Sequence, residues 1–289
     1  MRWILALVLT LCVLPCRGQT SPPPSTSETE RAQGAAELAR KAAEEYTIAL
    51  GSDASEPLGL VTKPVLQWSN PVSGSIHGSV FVWTRQGRAT AIASIYKWYA
   101  PRHHLGVEFH SLAAGPLVAK RAGENAWTPR LPGIELRPIP GAPAPADKPV
   151  ARLAQMRALA KEFTASETTR ENIRRELRRL SNPIFRNLDA DAQFLDGALF
   201  AFVEGTDPEV VLDVQARRVA GADTFEWVYG LVRMNSNALR VAHRGREVWT
   251  IPEIPWREAF DHDRPYTLFT FQPGEGVNPP GPGDDEPSQ

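Results

Sequence analysis

The chain has 289 residues, 42% of them hydrophobic, with 32 basic and 33 acidic side chains and a formal net charge of −1. That length can bury a sizeable core without a disulfide or metal staple. The charge balance argues against nucleic acid as the main partner, which would need a basic surplus gathered on one face.

Arg2, an apolar run over residues 3–14 and then Cys16-Arg17-Gly18 read as a secretory signal peptide over residues 1–18. The apolar core is too short to anchor the chain in a bilayer, so no transmembrane span is expected in the mature protein. Acylation of Cys16 would instead tether the chain to a membrane, although Pro15 stands where that signal wants a small residue. Cleavage would remove Cys12 and Cys16, the only cysteines, and a cysteine-free product of this size fits a bacterial periplasm or cell exterior. Losing Arg2 and Arg17 lowers the 32 basic residues by two against 33 acidic ones, leaving about −3. Residues 19–26 form a Pro/Ser spacer and residues 272–289 a Pro/Gly/acidic tail, both too polar to pack. Residues 27–271 are then expected to form a single α+β domain.

Within it, Ser27 and Glu30 make a capping box ahead of an Ala-rich helix expected to run through Leu50 and stop at Gly51. The hairpin signal Gln86-Gly87 joins strands over 77–85 and 88–98, and a further strand covers 104–112. The Pro-rich stretch 129–149 reads as a surface crossover. A second helix follows Pro149, with Val150, Leu153, Met156, Leu159 and Phe163 at helical spacing. A third opens on the Thr168/Glu171 capping box, carries Ile173, Leu177 and Leu180 on one stripe, and ends before Pro183. Strands follow over 198–203, 210–217, 225–234, 239–243, 247–251 and 266–271. Strands at hairpin spacing with no strand-helix-strand alternation imply antiparallel pairing. The fold class read from this pattern is α+β, an antiparallel β-sandwich or open barrel of about nine strands with an N-terminal helix and an inserted helical pair.

No Gly-rich phosphate loop, Gly-x-Ser-x-Gly elbow or His-Glu-x-x-His helix occurs. Ser94-Ile95-Tyr96-Lys97 matches the Ser-x-x-Lys of penicillin-binding enzymes, but it lies in a strand pattern and lacks the accompanying Lys-Thr-Gly. The stretch 103–110 offers the candidate metal ligands His104, Glu108 and His110, which share one face of a strand. Two imidazoles and a carboxylate suit a divalent transition metal such as zinc or non-haem iron. Glu108 and His110, about 7 Å apart, can share an ion, whereas His104 lies about 20 Å from His110 along the strand. A third ligand would come from a neighbouring strand, with His77 or His243 available. The alternative is that Glu108 and His110 form an ordinary polar stripe on a solvated face or a hydrogen-bonded pair inside a cavity. His262 between Asp261 and Asp263, the arginines of 170–179, Thr206 to Glu209 and Asn235-Ser236-Asn237 read first as loop, solvated helix face and turn chemistry.

The blocks Trp68-Ser69-Asn70-Pro71, Ile95-Tyr96-Lys97-Trp98-Tyr99, Glu108-Phe109-His110-Ser111-Leu112, RLAQMRALAKEF at 152–163 and DGALFAFVEGTDPE at 196–209 resemble a family of exported planctomycete proteins of unknown function. The resemblance implies bacterial export and transfers no residue role. The reading that follows is a non-catalytic exported module that binds an unknown ligand or exported protein partner through a Trp-lined face or cavity. Two alternatives stand beside it: a metal-dependent hydrolase using Glu108 and His110, and a carrier of an apolar molecule inside a barrel.

Overall fold

The computed structural model describes residues 26–187 and 191–271, so the leader, Cys16, the spacer up to residue 25 and the tail lie outside the described residues. In chain order the elements are α1 (Thr26–Glu44), β1 (Tyr46–Leu50), β2 (Glu56–Pro57), β3 (Gly59–Leu60), β4 (Leu66–Ser69), β5 (Ser75–Arg85) and β6 (Arg88–Ala100). Next come β7 (His104–Ser111), β8 (Leu117–Arg121), β9 (Glu124–Trp127), β10 (Arg137–Pro138), α2 (Pro149–Ala160), β11 (Phe163–Thr168), β12 (Arg174–Arg179) and β13 (Phe185–Asn187). The chain continues through β14 (Phe194–Glu204), β15 (Asp207–Arg218), β16 (Phe225–Arg233), β17 (Ala238–His243), β18 (Arg246–Ile251), α3 (Trp256–Ala259) and β19 (Tyr266–Phe271).

The strands form three antiparallel sheets. A small one runs β2-β1-β8-β9, a second runs β19-β7-β6-β5-β3 with β4 also on β5, and a third runs β10-β16-β15-β14-β12-β11-β17-β18 with β13 also on β14. The third sheet curls strongly into a half-barrel. The fold class is therefore the expected one, α+β with antiparallel sheets, with nineteen strands among the described residues where about nine are expected, the additional ones being short.

Alternation along the long strands sorts side chains into separate cores. On β5, Phe81 and Trp83 enter a core shared with α1 and the small sheet, while Ile76, Val80 and Val82 meet Leu199, Val211 and Val232 of the half-barrel. The inside of the half-barrel holds Phe200, Phe202, Leu212, Trp227 and Val241, packed on Met156 and Leu159 of α2. In α1 the buried alanines 35, 39, 42 and 43 make one small-residue face against β5 and β6.

Two expected helical stretches turn out otherwise. The first helix ends at Glu44, because Tyr46-Thr47-Ile48 is aromatic and β-branched and joins the small sheet as β1. The segment expected as a third helix is a β-hairpin arm, so the inserted pair is one helix and one hairpin. Asn172 at φ 61° turns the chain, and Arg174–Arg179 pairs with β11 and β14. The spacing of Ile173 and Leu177 fits a strand face equally well, and ladder bonds on both sides decide the outcome. Val150 of the expected apolar stripe on α2 is exposed, while Arg152 is buried against Asp196 at 2.9 Å.

No helix among the described residues is long and apolar enough to cross a membrane.

Candidate functional site: an acidic cavity between two sheets

The β14–β15 hairpin turns at Gly205, whose φ of +58° favours glycine, and the turn is fastened to β4 by Thr206, whose hydroxyl donates to the Ser69 carbonyl at 2.9 Å. Just beyond the turn the ladder slips: Phe202 pairs with Val210 and Val203 with Pro208, so Glu209 is the extra residue of a β-bulge. Bulges re-aim side chains. Here the bulge brings Glu209 to Glu204 on β14 and Glu167 near the end of β11, and one carboxylate oxygen from each lies within 4.8 Å of the others.

Asn235, in the loop after β16, donates its amide to Glu209 and to Glu167, the latter at 2.9 Å, and Asn237 donates to Glu167 at 2.9 Å. Arg175 on β12 donates to Glu204 at 2.6 Å and lies 3.8 Å from Glu167, and Asn70 donates to Glu204 at 3.1 Å. Arg233 holds the loop in place by donating to the carbonyls of Asn235, Asn237 and Pro252. Asp207 and, from the six-stranded sheet, Glu108 complete the acidic lining of a cavity of about 170 Å³. Trp68, Tyr96 and Trp98 wall its other side.

Burial favours the protonated form of Glu108, Glu167, Asp207 and Glu209, and negative neighbours add to it at the last three. Glu108 is pushed up to about 8, mainly by burial, with the Tyr266 hydrogen bond and Arg233 pulling the other way. Although deep, its carboxylate edges on the cavity and so keeps partial exposure. Burial also raises Glu167. Asp207 and Glu209 lie well above the carboxylate range, first by burial and then because Glu108 and Asp207, respectively, stand beside them as negative neighbours.

The histidines expected as metal ligands do not converge. Glu108 and His110 share one face of β7, but Glu108 opens on the acidic cavity and His110 on a larger neighbouring cleft. Tyr266 stands between them: it pairs in register with His110 and donates its hydroxyl to Glu108 at 3.0 Å. Burial lowers His110 to about 4. His104 lies on the same face, about 13 Å along the strand from Glu108, and packs against the rings of Tyr96 and Trp98. His77 is on the opposite face of the sheet, 2.8 Å from Glu28 of α1 but off the hydrogen-bonding direction. His243 packs at a tilt against Phe163 and meets Glu162 at 2.9 Å, four ladder positions from Glu167. His262 stacks on Phe269 with ring centroids 4.2 Å apart.

The converging set is thus Glu167, Glu204, Asp207 and Glu209 with Asn235 and Asn237, residues that local pattern assigns to a helix start and to turns. The usable signal is Pro208 between two acids directly after a glycine turn, a place where proline and a bulge disturb a ladder. An all-oxygen donor set suits a hard cation such as Ca²⁺, Mg²⁺ or Mn²⁺, or an ammonium group, better than zinc.

No family model, curated protein or solved structure matches the chain.

Proposed function

We propose that this chain is an exported, non-catalytic binding module that takes a small cationic ligand into the acidic, tryptophan-walled cavity. The observation that carries the reading is the charge count at one cavity. Five carboxyls face it, while among the described residues Arg175 and Arg233 act on them as cations and Arg102 lies over the Trp98 ring of the wall. As these carboxyls ionise with rising pH, a ligand bearing positive charge would relieve their repulsion, and the rings of Trp68 and Tyr96 would favour it further through their negative faces. A cavity of about 170 Å³ has room for a partly hydrated divalent ion or a short amine.

Thermal melts at pH 8 with and without CaCl₂, MnCl₂ or putrescine test this and separate the metal from the amine. A ligand present at 100 times its Kd stabilises by about 2.7 kcal/mol, and that gain should vanish in Glu209→Gln. The reading fails if none of the three shifts the melt, or if the shift survives in Glu209→Gln.

One observation supports the alternative, a metal-dependent hydrolase: the oxygens of Glu167, Glu204 and Glu209 are close enough to share one ion, which could activate a water. On that reading the metal moves from His110 to this oxygen triad. Stoichiometric Mn²⁺ with ester or phosphoester turnover, both lost in Glu167→Gln, would favour it over the non-catalytic account.

A further inference from the structure

The half-barrel does not close. Its terminal strands β10 and β18 stand at the two ends of the hydrogen-bonded order, and Arg137 reaches across from one to donate to the Val248 carbonyl of the other at 3.1 Å. Between the two edges lies a cleft of about 730 Å³, a volume typical of small-molecule sites. Its walls are mainly apolar and aromatic: Ile134, Tyr229, Leu231, Val248, Trp249 and Ile251.

Its charged residues are already engaged. Arg137 also meets Glu135 at 2.7 Å, Arg264 meets Glu258 at 2.6 Å and Asp261 at 3.1 Å, and Glu253 lies 3.3 Å from Arg170. Arg233 is spent on three backbone carbonyls. Neither an anion nor a cation would find an unmatched partner here. Deep in the cleft sits His110, more than nine-tenths buried. Its Nδ1 is 2.8 Å from the Ser111 carbonyl, and because a carbonyl only accepts, the ring proton is on Nδ1. Nε2 is left with a lone pair and, among the described residues, no protein donor bonded to it.

We propose that this seam cleft binds a neutral, mainly apolar small molecule that donates one hydrogen bond to His110 Nε2. The site is separate from the acidic cavity and selects by the opposite rule, rejecting charge where the cavity attracts it. Both selections follow from which polar groups each hollow leaves unmatched.

Calorimetric titration of the full chain with 2-naphthol, 2-methoxynaphthalene and 2-naphthoate tests it. These share one ring system and present, respectively, a neutral donor, no donor and an anion. The alcohol should bind at least tenfold more tightly than the ether, with the carboxylate weakest. His110→Phe should erase the preference for the alcohol, and Val248→Trp, which fills the cleft from its wall, should block all three. Should His110→Phe not fold, a shift of the His110 Nε2 nitrogen resonance on adding 2-naphthol to the unsubstituted chain serves in its place. Equal affinities for alcohol and ether, no binding of any probe up to millimolar concentration, an unmoved Nε2 resonance, or binding that survives Val248→Trp would each overturn the proposal. Glu209→Gln should leave naphthol affinity unchanged, so the failure of one site is distinguishable from the failure of the other.

Discussion

Replacing Glu209 with glutamine should stabilise the ligand-free protein at pH 8 and do little at pH 5. The carboxylate oxygens of Glu167, Glu204 and Glu209 lie within 4.8 Å of one another. At an effective dielectric constant near 20, two full charges at that distance repel by about 3.5 kcal/mol. Arg175 on Glu204 and the Asn235 and Asn237 amides offset part of this. Burial and neighbouring carboxylates raise Glu209 well above its ordinary range, so at pH 5 it already holds its proton and glutamine resembles it. Raising the pH forces a choice between a proton held against the solvent and an unfavourable charge, and glutamine escapes both while keeping an acceptor for Asn235. The expected gain at pH 8 is about 1–3 kcal/mol, below the bare pair energy because the charges are partly compensated. Urea unfolding at the two pH values, with linear extrapolation, measures it. An equal destabilisation at both would mean that Glu209 is held ionised by its partners, and the repulsion argument would collapse.

Glu108 adds a pH dependence with a definite sign. Its folded value is raised from 4.5 to about 8, so the folded state binds more protons than the unfolded one and stability falls as pH climbs through that window. The displacement amounts to about 5 kcal/mol at most; unfolding free energies from pH 4.5 to 8.5 should show the decline, and Glu108→Gln should make it shallower without removing it, because Glu167, Asp207 and Glu209 are raised as well. Gly78→Ala places a methyl 2.3 Å from the Trp68 ring, whose Nε1 donates to Ser94 at 3.0 Å, so about 1–3 kcal/mol should be lost along with near-ultraviolet dichroism. Arg152→Leu leaves the buried Asp196 with Arg186 and the Gly197 N–H as partners, and chemical denaturation should register a loss of about 1–3 kcal/mol.

The long strands were legible because their burial is two-sided and their turns are local. Residues 77–85 and 88–98 flank a turn set by Gln86 at φ 47° and Gly87 at φ 68°, and β5 and β6 extend these stretches by only two residues each. The short strands were not. Tyr46–Leu50 is a strand only because Leu117–Arg121 lies beside it, and Arg174–Arg179 because β11 and β14 flank it. Neither neighbour is visible to a local pattern. The acidic cavity was hidden for the same reason, since Glu108, Glu167, Glu204 and Asn235 are distant in sequence and meet only where the hairpin end of the half-barrel abuts the six-stranded sheet. Glu108 was picked out by its neighbours His104 and His110, and the structure gives it different company.

Among the described residues, one side-chain hydrogen bond, from the Arg137 guanidinium to the Val248 carbonyl, ties the two free edges. Because no backbone ladder joins them, the gape there is adjustable independently of the strands that make the wall. Trimming the Arg137 side chain would release the aperture without unzipping a single strand pair of the curl, so the size of guest admitted could drift between descendants of this chain by surface substitutions alone.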